Sequence, residues 1–137
     1  MVAAVDSGVN ASQSSEDIPD DAILYMRVHK VWWSKKKKRF GTDAFKDSGE
    51  GAQKGMSTNW SKYASDEQTR EKATSSAGDN YVVAMKVGDI RKIPGLTVTF
   101  SPLPDLPGHT DVIGEKTLEV KNALRSICEV MLTADES

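Results

Sequence analysis

The sequence predicts an α+β domain: a small, mostly antiparallel sheet of about three to five strands, packed by a C-terminal amphipathic helix. Three features carry that expectation. Tyr81, Val83, Met85 and Val87 alternate with Val82, Ala84 and Lys86, the period of a strand. Leu96 to Ser101 is rich in Thr and Val and is entered through the turn dipeptide Pro94-Gly95. Between Lys116 and Leu132 the residues Val120, Leu124, Ile127, Cys128 and Met131 recur at the spacing of one helix face.

In chain order, residues 1–20 are rich in Ser, Ala and Asp without an apolar period, and are expected to form a disordered tail. A single domain is expected over 21–133, followed by a disordered end at 134–137. Ile23 to Val28 has the chemistry of a first strand, led in by Pro19-Asp20-Asp21. Ser34 to Gly55 is mostly charge and glycine, which reads as a long loop anchored by Phe40 and Phe45. Met56 to Ala73 reads as helical in one or two pieces. Thr58 or Asn59 would cap the first, and Ser65 with Gln68 matches a capping box for the second, a short helical segment after the loop. Gly88 and Asp89 end the alternating strand, and Pro102, Pro104 and Pro107 enforce an extended crossing before a short strand at His109 to Ile113.

A chain of 137 residues allows one compact domain with a tail and excludes a two-domain enzyme. Its charge is segregated. Residues 1–26 hold Asp6, Glu16, Asp17, Asp20 and Asp21 with no Lys or Arg, whereas residues 27–39 hold seven cations and no carboxylate. One basic segment in an acidic chain argues against a nucleic-acid-binding domain basic throughout. The lone Cys128 cannot form an intramolecular disulfide, and one Cys with two His makes no metal site by itself, so neither metal nor cofactor is expected. Gly49-x-Gly51-x-x-x-Gly55 follows no strand and is not a dinucleotide fingerprint. The N-terminal residues lack the basic start and apolar stretch of a secretory signal, and no run is long enough to span a membrane. A reducing, cytoplasmic setting is the expectation, or a nuclear one in a eukaryotic chain, because the basic run also fits an import signal.

Two groups of residues carry candidate chemistry. Lys35, Lys36, Lys37, Lys38 and Arg39, flanked by Trp32, Trp33 and Phe40, combine cations that grip phosphates with rings that stack on bases. The competing reading is a solvated loop whose tryptophans turn inward. His109 sits at a strand entrance with Asp111 two residues on, where a side chain of near-neutral pKa can serve as acid or base. A structural, hydrogen-bonded histidine is the competing reading. Ser57 fits a nucleophile, a phosphate ligand or a helix cap, and Thr42 to Asp47 mixes carboxylates with a cation in a loop anchored by Phe45. His29 and Cys128 are read as structural.

The order of these residues resembles that of a group of small bacterial proteins with no established activity. It comprises a Tyr-x-Arg strand (Tyr25, Arg27), an Ala-Phe-Lys-Asp loop (Ala44 to Asp47), a Met-Ser pair (Met56, Ser57), a Val-rich strand, then Pro102, His109 and Gly114. The resemblance covers about residues 23 to 116 and implies that Arg27, Ser57 and His109 belong together. The poly-Lys segment and the acidic N-terminal stretch depart from it.

Two functions follow as expectations. One is a small intracellular binding or regulatory module that engages an anionic partner, a nucleic acid or another polyanion, through Lys35 to Arg39 with Trp32 and Trp33. The other is a small enzyme acting on a phosphorylated or nucleotide-like substrate. There Arg27 would hold the anion, His109 would be the general acid or base, and Ser57 would bind phosphate or be activated by His109.

Overall fold

A computed structural model describes residues 17–47, 55–72 and 76–135. Its centre is a six-stranded sheet in which every neighbouring pair is antiparallel. The strands are β1 (Ile23–His29), β4 (Met56–Trp60), β5 (Asn80–Lys86), β6 (Thr97–Phe100), β7 (His109–Ile113) and β8 (Glu129–Leu132), in the order β6-β7-β4-β1-β5-β8. A separate hairpin pairs β2 (Trp33–Ser34) with β3 (Arg39–Phe40). Among the described residues three α-helices, α1 (Asp66–Glu71), α2 (Val87–Arg91) and α3 (Leu118–Ile127), complete the α+β fold.

Alternation along β1 divides the sheet into two faces. Leu24, Met26 and Val28 point into the core, while Ile23, Tyr25, Arg27 and His29 alternate outward. Across β1, Leu24 faces Met85, Met26 faces Val83 and Val28 faces Tyr81, so the core face continues into β5. The opposite side of β5, Val82 and Ala84, is buried as well, and α1 lies against β5 and β1. Phe40 and Phe45 reach the core as the expected loop anchors, joined by Val120 and Leu124 of α3. Trp33 stacks on Tyr81 at 5.2 Å and meets Phe40 edge-on at 4.9 Å, which fixes the hairpin to the sheet.

Several expected elements differ. Met56–Trp60 is a strand and not a helix: Met56, Thr58 and Trp60 turn inward and Ser57 outward, and β7 supplies the backbone partners that a sequence window cannot show. The C-terminal helix stops at Ile127 because Cys128 is extended (φ −83°, ψ 151°), and Glu129–Leu132 becomes the edge strand β8 against β5. Met131, expected on the helix stripe, is 41% exposed. These two strands raise the sheet from the expected three to five to six. Val87, expected to end a strand, opens α2 instead. The expected long loop contains the β2–β3 hairpin and a helical turn at Thr42–Ala44, and its stretch 48–54 lies outside the described residues. At the N-terminus, 1–16 lie outside them too, whereas Ile18 and Ala22 are buried in the core and Asp20 pairs with Arg91 at 2.6 Å. At the other end Ala134 is buried, and Asp135 N–H donates to the Gly78 carbonyl at 2.7 Å.

The expected capping box is present. Ser65 Oγ accepts from Gln68 N–H at 3.1 Å, and Gln68 Oε1 accepts from Ser65 N–H at 2.8 Å, so two of the backbone donors at the start of α1 are satisfied by one residue pair. No helix among the described residues is long and apolar enough to cross a membrane.

Candidate functional site

β1 and β4 pair at only two positions, Leu24 with Trp60 and Tyr25 with Asn59. Beyond Tyr25 the two strands part, while β1 stays paired with β5 along its length and β4 with β7 from Met56 to Asn59. A cavity of about 440 Å³ lies in this fork. Its walls are Tyr25, Met26 and Arg27 from β1 and Met56 to Asn59 from β4, so residues of both sheet faces meet in it.

Register brings the chemistry to one row. Tyr25 pairs with Asn59 and Asn59 with His109, and paired residues share a face, as do residues two apart on one strand. Arg27, Ser57 and His109 therefore stand on the same side of the sheet, and all three line the cavity. Asp111, paired with Ser57, belongs to the same face.

His109 is held on both sides of its ring. Nδ1 lies 3.0 Å from the carbonyl oxygen and 3.1 Å from the hydroxyl of Ser101. A ring whose Nδ1–H donates to that carbonyl presents Nε2 as an acceptor, and the Ser57 hydroxyl is 3.4 Å from Nε2. Ser101 also donates to Asp111 Oδ2 at 2.8 Å, which places Asp111 Oδ1 3.6 Å from Nε2. The strand entrance is fixed by a tight turn in which Leu103 and Leu106 exchange backbone hydrogen bonds at 2.9 and 3.0 Å. Both leucines line the cavity and give it an apolar wall.

Arg27 is half-buried, and desolvation lowers its pKa from the ordinary guanidinium value. Its Nη1 donates to the Thr69 carbonyl of α1 at 2.8 Å, and among the described residues no carboxylate lies within ion-pair reach. Thr69 is itself buried; its hydroxyl donates to the Ser65 carbonyl at 2.9 Å and accepts from the Asn59 amide at 3.4 Å. The capped helix α1 is thereby tied to both walls of the fork. The 41–47 loop contributes Ala44, Lys46 and Asp47 to the lining. Lys116, its side chain only 4% exposed, binds Asp47 Oδ1 at 2.6 Å and the carbonyls of Val112 and Gly114 at 3.0 and 2.6 Å, fastening this loop to the end of β7. Gly114 makes that turn with φ +136°, where a Cβ would run into the Gly95 carbonyl.

The structure thus brings Arg27, Ser57 and His109 together. It keeps the basic segment apart: none of Lys35, Lys36, Lys37, Lys38, Arg39, Trp32 or Trp33 lines the fork. The four lysines and Arg39 are exposed, whereas Trp32 and Trp33 are half-buried, Trp33 in the ring cluster and Trp32 beneath Lys46 Nζ at 4.8 Å. Asn59, expected as a helix cap, Ser101, expected as the end of a strand, and Thr69 were not expected in the site. Thr69 and Ser101 act partly through backbone carbonyls, which carry no residue signature. Among the described residues no three His, Cys, Asp or Glu side chains are grouped to hold a metal ion. Comparison with protein-family models, curated proteins and solved structures returns no match.

Proposed function

We propose that this chain acts on a small phosphorylated or nucleotide-like substrate in the fork between β1 and β4. The carrying observation is a half-buried Arg27 that lines a cavity with no carboxylate in ion-pair reach among the described residues. Burying part of a guanidinium is costly unless an anion compensates it, and one carbonyl does not neutralise its charge. The planar fork of donors left on Arg27 matches a phosphate, which it can bind in bidentate fashion. Lys46 also lines the cavity, with its Nζ turned over the Trp32 ring outside it, and the charge of Asp47 is met by Lys116.

In this reading His109 Nε2 accepts a proton from the Ser57 hydroxyl or from a water beside it, and Asp111 balances the charge that the ring then carries. Leu103 and Leu106 take the apolar part of the substrate. The lysines of the basic hairpin have no part in the chemistry because they do not reach the fork.

Calorimetric titration of the full chain with inorganic phosphate and with nucleoside monophosphates tests the reading. Wild type should bind at least one of them, and Arg27→Gln should weaken that binding about tenfold or more, the scale of a lost charge-assisted pair. Hydrolysis of phosphate esters should vanish in His109→Gln while binding is retained. No binding in wild type, or equal binding by Arg27→Gln, refutes it.

A further inference from the structure

We propose that the groove between the β2–β3 hairpin and α3 is a second site, one that binds single-stranded nucleic acid. It has a volume of about 550 Å³, and its lining includes Lys37, Arg39 and Arg125 together with Trp32 and Trp33, but no Asp or Glu. None of these five residues lines the β1/β4 fork.

Arg125 changes the basic segment from a charged loop into a concave site. It projects from α3, donates Nη1 to the Phe40 carbonyl at 3.1 Å and Nη2 to Asn122 Oδ1 at 2.8 Å, and so joins helix to hairpin through neutral acceptors alone. Among the described residues no carboxylate stands within ion-pair distance of Lys37, Arg39 or Arg125. The nearby Asp43 is occupied by Lys121 at 2.9 Å. Three cations around one groove therefore keep charge for an external anion.

The hairpin tip is an ordered turn. Ser34 accepts Lys37 N–H through its hydroxyl at 3.0 Å and Lys38 N–H through its carbonyl at 2.7 Å, and Lys38 takes the left-handed conformation, φ +55°. Lys35 to Lys38 are thus displayed beside the groove in a fixed arrangement. The parts of the two half-buried indoles that line the groove decide the class of polyanion: one face of Trp33 is taken by Tyr81 and Lys46 Nζ sits over Trp32, so a base meets the ring surface left on the groove side. A single strand offers unstacked bases to ring faces while its phosphates meet the cations, whereas a duplex keeps its bases stacked inside and a sulfated glycan has none. Backbone and ring contacts of this kind carry no base-specific hydrogen bonding, so binding should be tolerant of sequence.

Fluorescence anisotropy of labelled oligouridine with the full chain over a range of salt concentrations tests this. Each phosphate contact on a single strand contributes about 0.7 to the slope of log affinity against log salt. Lys37→Gln/Arg39→Gln should flatten that slope by about 1.4, and Arg125→Gln added to it by about 2, with affinity at low salt down about tenfold. Lys37 and Arg39 are exposed, so the double variant folds even if losing Arg125 disturbs the hairpin. Tryptophan emission should be quenched on binding, and duplex DNA and heparin of equal charge should compete weakly. Absence of binding at low salt, an unchanged slope in the double variant, or equal competition by heparin or duplex overturns the proposal.

Discussion

The Nε2 atom of His109 lies 3.4 Å from the hydroxyl oxygen of Ser57, on the adjacent strand and the same sheet face. The contact is diagonal: His109 pairs with Asn59 and Ser57 with Asp111, and long side chains bridge such neighbours. A histidine whose other nitrogen is held by Ser101 has little freedom to turn away from this hydroxyl. The geometry sets a ring nitrogen beside a hydroxyl, and it exists only because β4 is a strand.

Arg27→Gln should leave the fold intact while loosening α1, because the Thr69 carbonyl loses a charged donor. A hydrogen bond to a charged group contributes about 1.5–3 kcal/mol, an upper limit for this half-buried side chain. Amide exchange should then accelerate within Asp66–Glu71, with the central strands unchanged. Uniform acceleration across the sheet would show Arg27 to be a general structural residue.

Replacing Ser65 by Ala removes the cap of the same helix. The expected cost is about 0.5–2 kcal/mol by urea denaturation. Because Thr69 in that helix contacts Arg27 and Asn59, the variant should also weaken phosphate binding without removing any group that lines the fork. Unchanged affinity would separate α1 from the site.

Leu124 is fully buried on α3, and Leu118 on the same helix is 66% exposed. If α3 closes the core, Leu124→Ala should cost about 2–5 kcal/mol. Leu118→Ala should stay within about 0.5 kcal/mol. Similar urea midpoints for the two variants would contradict packing of this helix through Leu124.

Lys116→Met should destabilise the chain by about 3–5 kcal/mol, since it strands the largely buried Asp47 carboxylate. Adding Asp47→Leu should recover a large part of the loss, and a double-mutant cycle measures the coupling. Additive losses would mean that the pair does not fasten the loop.

Burial pushes the Cys128 thiol above its ordinary range, although the nearby Arg125 acts the other way. The folded thiol therefore binds its proton more tightly than the unfolded one. Its contribution to stability is complete below the unfolded value, about 8.5, and is lost as pH rises through the folded value. Iodoacetamide should react with Cys128 at mildly alkaline pH more slowly than with the urea-unfolded chain. Equal rates would contradict the burial.

Much of this fold was legible locally. The capping box at Ser65 and Gln68 and the strand around Tyr81 to Lys86 follow from short windows, because caps and alternation are local chemistry. β4 and β8 were not legible. Met-Ser-Thr-Asn-Trp carries too short a period to separate strand from capped helix, and Glu129–Leu132 continues the apolar phase of α3, so only pairing with β7 and β5 decides them. That Arg27, Ser57 and His109 belong together was implied by the resemblance. The fork that makes room for a ligand between them was not legible, since it arises where the pairing of β1 with β4 stops. Arg125 was hidden for the same reason: its relation to Lys37 and Arg39 is a tertiary contact between α3 and Phe40.

In the proposed function Arg27 and His109 face one anion in one cavity. Nuclear magnetic resonance of the full chain, titrated with inorganic phosphate and observed at the Arg27 guanidinium and the His109 ring, tests it most directly. Both resonances should shift along a single saturating curve in wild type, and the His109 response should disappear in Arg27→Gln. A His109 ring that ignores phosphate, or responds identically without Arg27, would contradict the shared site.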